Sequence, residues 1–140
     1  MKTTLMNDDI REMINQVKSF NPSKDEIFIY HGTGKGQTQN IQRDGYMKPH
    51  NTGEEHESIS FTNDLNRAKS YAIMKVGVDK MVVLRTKLGK NFKLSPRIKN
   101  NKGDEYITYN KIPSSDLDIL TRHNGWQPLI KWDPIFDEPL

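Results

Sequence analysis

Cysteine is missing from this 140-residue chain, which excludes disulfides, thiolate metal sites and a cysteine nucleophile together. Long apolar runs are missing too, since no stretch approaches a membrane span, which needs about 18 apolar residues. The amino end, MKTTLMNDDIREM, turns polar and acidic where a signal peptide has its apolar centre. We therefore expect a cytoplasmic protein that has no membrane partner.

The composition fits one globular domain over residues 1–140. Hydrophobic residues make up 34% and charged residues 28%, which permits a modest core. The net charge is +3, but the 21 lysines and arginines are scattered among 18 acidic residues. A basic face of this kind suits a nucleic acid, an acidic protein or a dinucleotide, and it is also typical of a solvated surface. Charge alone therefore selects no partner.

Hydrophobic periodicity predicts two or three helices and six or seven short strands. An amino-terminal helix is predicted over NDDIREMINQVKSF, and another over DLNRAKSYAIMKV, capped by Thr62 or Asn63. QTQNIQRDG predicts one or two helical turns that Gly45 closes. The predicted strands are EIFIYHGT, SISF, KMVVLRTKL, NFKLS, EYITY, the end of IPSSDLDIL, and PLIKW. Because strict βαβ alternation is missing from the second half, we expect an α+β fold with a mainly antiparallel sheet.

The glycines of GTGKG, residues 32–36, resemble the end of a phosphate-binding loop, but the motif is incomplete. Such a loop needs a serine or threonine directly after its lysine, whereas Gly36 follows Lys35 and the next hydroxyl is Thr38. The segment behind the glycines predicts only a short helix, which supplies little helix dipole. A dinucleotide fingerprint is not completed either, because residue 37 is glutamine. We expect a flexible rim here.

Two positions are candidate site residues on their own merits. His31 ends an apolar strand and precedes Gly32, a pair that suits ligand binding as well as it suits a histidine bonded to local carbonyls. Glu105 opens a strand after a turn, where a lone glutamate is most often a surface residue. If that strand lies beside the strand of His31, Glu105 faces the same cleft as His31 and Ser60 and supplies negative charge there.

Three other polar segments carry weaker signals. The histidines and glutamates of residues 50–56 do not have the spacing of a tight ligand set, so we expect no metal site. HNGW at 123–126 predicts a turn rather than part of a nuclease motif. The loop at 48–57 and the tail WDPIFDEPL are candidate partner contacts, or else packing segments.

Three segments, in this order, resemble the ADP-ribosyltransferase fold, which includes poly-ADP-ribose polymerases, rifamycin-modifying transferases, bacterial toxins and small phage enzymes. They are IYHGT at 29–33, SISFTNDLNRAKSYA at 58–72, and DEYITYNKIPSSDLDIL at 104–120. The resemblance implies a mainly antiparallel split sheet, with an amino-terminal helix and helices in the first half. It also implies that the substrate is NAD, used without a metal.

The resemblance implies a role for each matching residue. His31 would bind the nicotinamide-side ribose, and the backbone of Gly32 would bind the carboxamide. Tyr71, at the edge of its helix's buried stripe, would stack on the nicotinamide. Glu105 would orient the ribose and stabilise the oxocarbenium-like centre as nicotinamide leaves. Thr33 and Phe61 would line the same NAD site.

Ser60 is a further candidate catalytic residue, and it departs from the pattern. Members with a His-Gly strand commonly carry tyrosine there, and Ser60 instead resembles the serine of toxins that carry an arginine, a serine and a glutamate. Arginine-specific toxins of that subgroup have another glutamate two residues before the catalytic one, and here that residue is Gly103. Arginine modification by their route is therefore not implied.

The implied function is a mono-ADP-ribosyltransferase that cleaves NAD and modifies a macromolecule, with a protein as the first expectation and a nucleic acid as the second. Its compactness suits a phage effector that acts on host machinery or defence. Modification of an antibiotic stays open. Two alternatives stay open as well: a non-enzymatic binding or inhibitor protein that keeps the fold, and an RNA 2′-phosphotransferase, whose additional basic and histidine residues we do not place.

Overall fold

The structure is a computed structural model that describes residues 27–51, 56–95 and 104–140. The predicted amino-terminal helix lies outside the described residues. The chain divides into two units, and the elements that build the site belong to the unit of residues 28–86 and 90–140, whereas Ile27 and residues 87–89 belong to the other. Within the described residues, no helix is both long enough and apolar enough to cross a membrane.

The described elements are short strands, two α-helices that both precede the strand Met81–Lys87, and two 3₁₀ turns. They are β1 (Phe28–Gly34), α1 (Lys35–Asp44), β2 (Tyr46–Met47), β3 (Ile59–Thr62), α2 (Leu65–Val76), β4 (Met81–Lys87), β5 (Lys93–Leu94), β6 (Glu105–Thr108), β7 (Ile112–Pro113), β8 (Asp118–Thr121) and β9 (Gly125–Pro128). One-turn 3₁₀ helices follow β7 at Ser114–Asp116 and β9 at Leu129–Lys131.

Seven strands form one sheet in the order β5-β6-β3-β1-β4-β8-β9, and β2 pairs separately with β7. The pairs β1 with β3, β3 with β6, β5 with β6, β4 with β8 and β8 with β9 are antiparallel. This confirms the predicted α+β class with a mainly antiparallel sheet. The seven strands follow one another in a single hydrogen-bonded order, whereas the resemblance implies a split sheet.

The α2 helix packs on the sheet through a stripe of small residues. Ala68 and Ala72 are fully buried in a cluster with Met81, Val83 and Leu120. The spacing of three and four residues in the sequence predicts this stripe. The predicted caps are wrong, because Asp64 caps the helix, accepting hydrogen bonds from the backbone N–H groups of residues 66 and 67.

Gly32 is the point of closest approach between β1 and α2. A Cβ at this position would lie 2.0 Å from the carbonyl oxygen of Ala68 and 2.9 Å from the backbone nitrogen of Ala72. Only a residue without a side chain fits there, because both neighbours are backbone atoms that cannot rotate away. Gly32 therefore fixes the distance between the helix and the sheet.

The α1 helix is longer than predicted, since it begins at Lys35 inside the glycine-rich segment and runs for ten residues. Gly34 is its N-cap residue, and the hydroxyl of Thr38 donates to the carbonyl of Gly34 at 2.8 Å. Gly45 closes the helix in the left-handed conformation, as the sequence predicts. The glycines thus connect β1 to a helix, and Thr38 hydrogen-bonds within that connection.

The strand predicted over PLIKW is wrong. Leu129 and Trp132 are buried whereas Ile130 is exposed, and burial three residues apart suits the 3₁₀ turn found here rather than the alternation of a strand. The last described strand is instead β9, and it includes Gly125 and Trp126 from the turn predicted over HNGW at 123–126, so only the first half of that segment is a turn. In the tail, Asp137 is buried, while Ile135 and Phe136 are more than 80% exposed.

We expect Gly32→Ala to destabilise the protein by at least about 3 kcal/mol, because its Cβ would overlap the backbone of α2. The matched control is Gly36→Ala, whose Cβ meets no atom within 4 Å. In a helix that control should be neutral or stabilising by up to about 1 kcal/mol. Urea unfolding of the two variants measures both effects. Equal stability of Gly32→Ala and the wild type would contradict the packing described here.

Candidate active site

A cavity of about 450 Å³ is lined by residues of β1, β3, β6 and α2. Six of the seven predicted site residues line it: His31, Gly32, Ser60, Phe61, Tyr71 and Glu105. These residues are up to 74 positions apart in sequence, and the sheet order brings their strands together. The volume lies within the range of about 300–1,000 Å³ that is typical of small-molecule sites.

Strand register explains why three residues that line the cavity, Ser60, Thr62 and Glu105, lie together. Thr62 of β3 lies opposite Glu105 on one side and opposite Tyr30 on the other. Since side chains alternate along a strand, Ser60, Thr62 and Glu105 share one face of the sheet. The β6 strand is therefore not directly beside the strand of His31, because β3 lies between them. Glu105 nevertheless lines the same cavity as His31 and Ser60, as the sequence analysis expects.

His31 is held by a hydrogen bond to the main chain of β3. Its Nδ1 lies 2.6 Å from the carbonyl oxygen of Ser60. A carbonyl only accepts, so Nδ1 carries the proton and donates it. The ring also packs against Phe61, with 5.4 Å between ring centroids. His31 thus bonds a main-chain carbonyl and lines a cavity, and its role in ligand binding stays a prediction.

The imidazole of His31 is neutral at physiological pH. Burial lowers its pKa from 6.5 to about 4, the hydrogen bond to Ser60 opposes that shift, and the charges of Lys75 and His50 lower the pKa further. A neutral ring that donates through Nδ1 retains a lone pair on Nε2. This nitrogen can accept a hydrogen bond from a ligand hydroxyl.

Glu105 is buried in the cavity wall, with 6% of its surface exposed. Its position as the first residue of β6 was predicted, but glutamates in such positions are most often exposed. Its backbone carbonyl accepts a hydrogen bond from the backbone N–H of Ser95 at 2.9 Å, which helps to fix the start of the strand. A carboxylate on a strand that lines the cavity can stabilise positive charge on a ligand bound there.

Tyr71 projects from α2 into the cavity and is 40% exposed, so its ring is accessible to a ligand. A hydrogen bond with Tyr71 raises the pKa of Arg67, one helical turn earlier, and Asp104 raises it further. Nη2 of Arg67 lies 3.3 Å from Oδ2 of Asp104. These contacts link the ring of Tyr71 to the residue that precedes Glu105.

The remaining predicted residues have more structural roles. Phe61 is buried and packs edge-on against Phe92 at 5.3 Å, so it supports His31 as well as lining the cavity. The missing side chain of Gly32 accommodates α2 rather than a ligand, although its backbone lines the cavity. Thr33 is buried and lines a second cavity instead.

The second cavity has a volume of about 360 Å³ and is lined by residues of α1, α2 and the segment after β2. It shares His31, His50 and Lys75 with the first. Sequence reasoning missed Lys75, although its position one helical turn after Tyr71 could have revealed it. His50 was considered only as a metal ligand.

No group of three or more metal-ligating side chains occurs among the residues that the structure describes. Glu54 and Glu55, which belong to the polar loop considered above, lie outside them. No protein-family model matches this chain, and no curated protein matches it in sequence. The function must therefore be argued from the site.

The lowered pKa of His31 predicts a pH-dependent stability. Because the unfolded chain binds this proton more readily, the free energy of unfolding should fall as the pH decreases from about 6.5 to about 4. The full loss amounts to about 3 kcal/mol. Urea unfolding of the wild type and of His31→Gln across this range isolates the effect, because glutamine does not titrate. A constant stability difference between the two proteins would contradict the lowered pKa of His31.

Proposed function

We propose that this protein is an NAD-dependent mono-ADP-ribosyltransferase. The observation that carries the proposal is the convergence of His31, Tyr71 and Glu105 on one cavity, with Ser60 beside them. An accessible aromatic ring, a neutral hydrogen-bond acceptor and a buried carboxylate are the three groups needed to bind and cleave a nicotinamide riboside linkage.

In the proposed complex, the nicotinamide ring stacks on Tyr71, which uses the accessible face of that side chain. Nε2 of His31 accepts a hydrogen bond from a ribose hydroxyl. The bond from Nδ1 to the Ser60 carbonyl fixes the orientation of the imidazole and keeps it in the required tautomer. Binding then places the glycosidic bond beside Glu105.

The proposed reaction breaks the bond between C1′ of the ribose and the nicotinamide nitrogen. The electron pair of that bond leaves with nicotinamide, which becomes neutral, and positive charge develops on the ribose. The carboxylate of Glu105 stabilises this charge more strongly in the transition state than in bound NAD. The nucleophile of the acceptor then bonds to C1′ and loses its proton.

A macromolecular acceptor suits the mouth of the cavity. Met74 lines the cavity but is 81% exposed, and it lies three residues after Tyr71 on the same helix. An exposed apolar side chain at the rim offers a contact to a large acceptor, whereas a small molecule would enter without covering it. We therefore propose a protein acceptor, in line with the resemblance to effectors that modify host machinery or defence.

We expect Glu105→Gln to reduce transfer at least about 100-fold, because glutamine keeps the shape of the side chain but lacks its charge. Incubation with labelled NAD and cell extract measures transfer, and nicotinamide release measures bond cleavage. Binding of NAD should be largely retained. The control is Glu138→Gln, at a side chain that is 65% exposed, and it should be fully active.

Full activity of Glu105→Gln would contradict the assignment of this residue. Absence of both label transfer and nicotinamide release from the wild type, in every extract, would count against the proposed reaction itself. A single added ADP-ribose mass on a defined peptide would identify the acceptor.

A non-enzymatic inhibitor that keeps the fold is the second candidate. Ser60 in place of the expected tyrosine favours it, as does the exposure of Ile135 and Phe136 in the tail. This alternative predicts stoichiometric inhibition of a partner without NAD, unchanged by His31→Ala. The enzyme predicts that the same substitution lowers turnover and weakens NAD binding, so one variant distinguishes the two.

A further inference from the structure

The second cavity differs in chemistry from the first. Aromatic rings dominate the wall of the first cavity, whereas Arg43, Lys48 and Lys75 line the second. Asp44 is the one acidic residue among the described residues that line the second cavity, and Oδ1 of this carboxylate lies 3.1 Å from Nε of Arg43. Lysine and arginine side chains around a pocket of this size favour an anionic ligand.

Neutral polar groups complete the second cavity. Thr33, Gln37 and Asn40 contribute a hydroxyl and two amides to its wall. Burial lowers the pKa of His50, and the nearby Lys75 lowers it further, so the field of this lysine extends to the shared wall. Hydroxyl, amide and ammonium groups together are hydrogen-bond donors that match the oxygens of a phosphate group.

The two cavities meet at a wall that both use. His31, His50 and Lys75 line each of them. The two cavities are therefore adjacent, and a ligand with an aromatic end and an anionic middle has matching chemistry in the first and the second. The phosphate-loop-like lysine, Lys35, does not line either cavity.

We propose that the second cavity binds the diphosphate of the NAD molecule whose nicotinamide occupies the first cavity, with Lys48 and Lys75 as the phosphate-binding cations. The assignment to NAD rests on the proposed function, whereas the assignment of a phosphate site rests on the lining of the second cavity. Lys75 lines both cavities, whereas Lys48 lines only the second, so a substitution of Lys48 tests the second cavity by itself.

The probe is ADP, which carries the diphosphate but no nicotinamide, and its binding is measured by calorimetry. We expect Lys48→Gln to weaken the binding of ADP and of NAD by about tenfold each, as the loss of one charge-assisted hydrogen bond predicts. Binding of nicotinamide alone should not change. The matched control is Lys35→Gln, which should bind ADP like the wild type, and thermal unfolding verifies that both variants are folded.

Competition between ADP and NAD shows whether both ligands use the second cavity. If ADP displaces NAD and Lys48→Gln weakens both, one molecule spans the two cavities, as proposed. If ADP and NAD bind together, the second cavity serves a different molecule and the proposal is wrong. If Lys35→Gln weakens the binding of ADP and Lys48→Gln does not, the phosphate binds at the glycine-rich segment. That result would also overturn the proposal.

The outcomes for the site and for the reaction are separate. Binding of ADP that depends on Lys48, together with an absence of nicotinamide release, would retain the phosphate site and reject the transferase. Nicotinamide release without any dependence of NAD affinity on Lys48 would retain the transferase and reject this role for the second cavity.

Discussion

The close contact between β1 and α2 at Gly32 is the constraint on which the site depends. Because the backbone of the helix lies against this glycine, the helix cannot move closer to the sheet without atomic overlap. It cannot move away without opening the core around Ala68 and Ala72. The same helix carries Tyr71 and Lys75, and the same strand carries His31. Packing at one glycine therefore sets the distance between the side chains of two elements.

The hydrogen bond from His31 to the Ser60 carbonyl fixes the imidazole of β1 relative to β3 as well. It uses a main-chain acceptor, so the identity of residue 60 does not affect the bond. A serine can thus occupy this position while the imidazole keeps its orientation, although a serine cannot supply the aromatic face of a tyrosine. Tyr71 supplies an accessible ring on the helix side of the cavity.

The features that could be predicted from the sequence are those that depend on the local pattern of hydrophobic, polar and turn-forming residues. Alternation and helical spacing predicted six of the described strands and the buried stripe of α2, turn chemistry predicted Gly45, and six of the seven residues that the resemblance named line one cavity. What sequence could not give was set by contacts between distant segments. Burial of Glu105 depends on pairing with β3, and the role of Gly32 depends on Ala68 and Ala72, which lie 36 and 40 residues later. Leu129 is buried in a 3₁₀ turn rather than in a strand.

The glycine-rich segment shows that a short sequence motif is weaker evidence for a phosphate site than the residues that line a cavity. Lys35 and the glycines suggest phosphate binding by analogy, yet Lys35 lines neither cavity. The two lysines that line the second cavity, Lys48 and Lys75, belong to a loop and to another helix, and no local pattern connects them. The proposed phosphate site depends on the meeting of elements around His31, so it leaves no contiguous signature in the sequence.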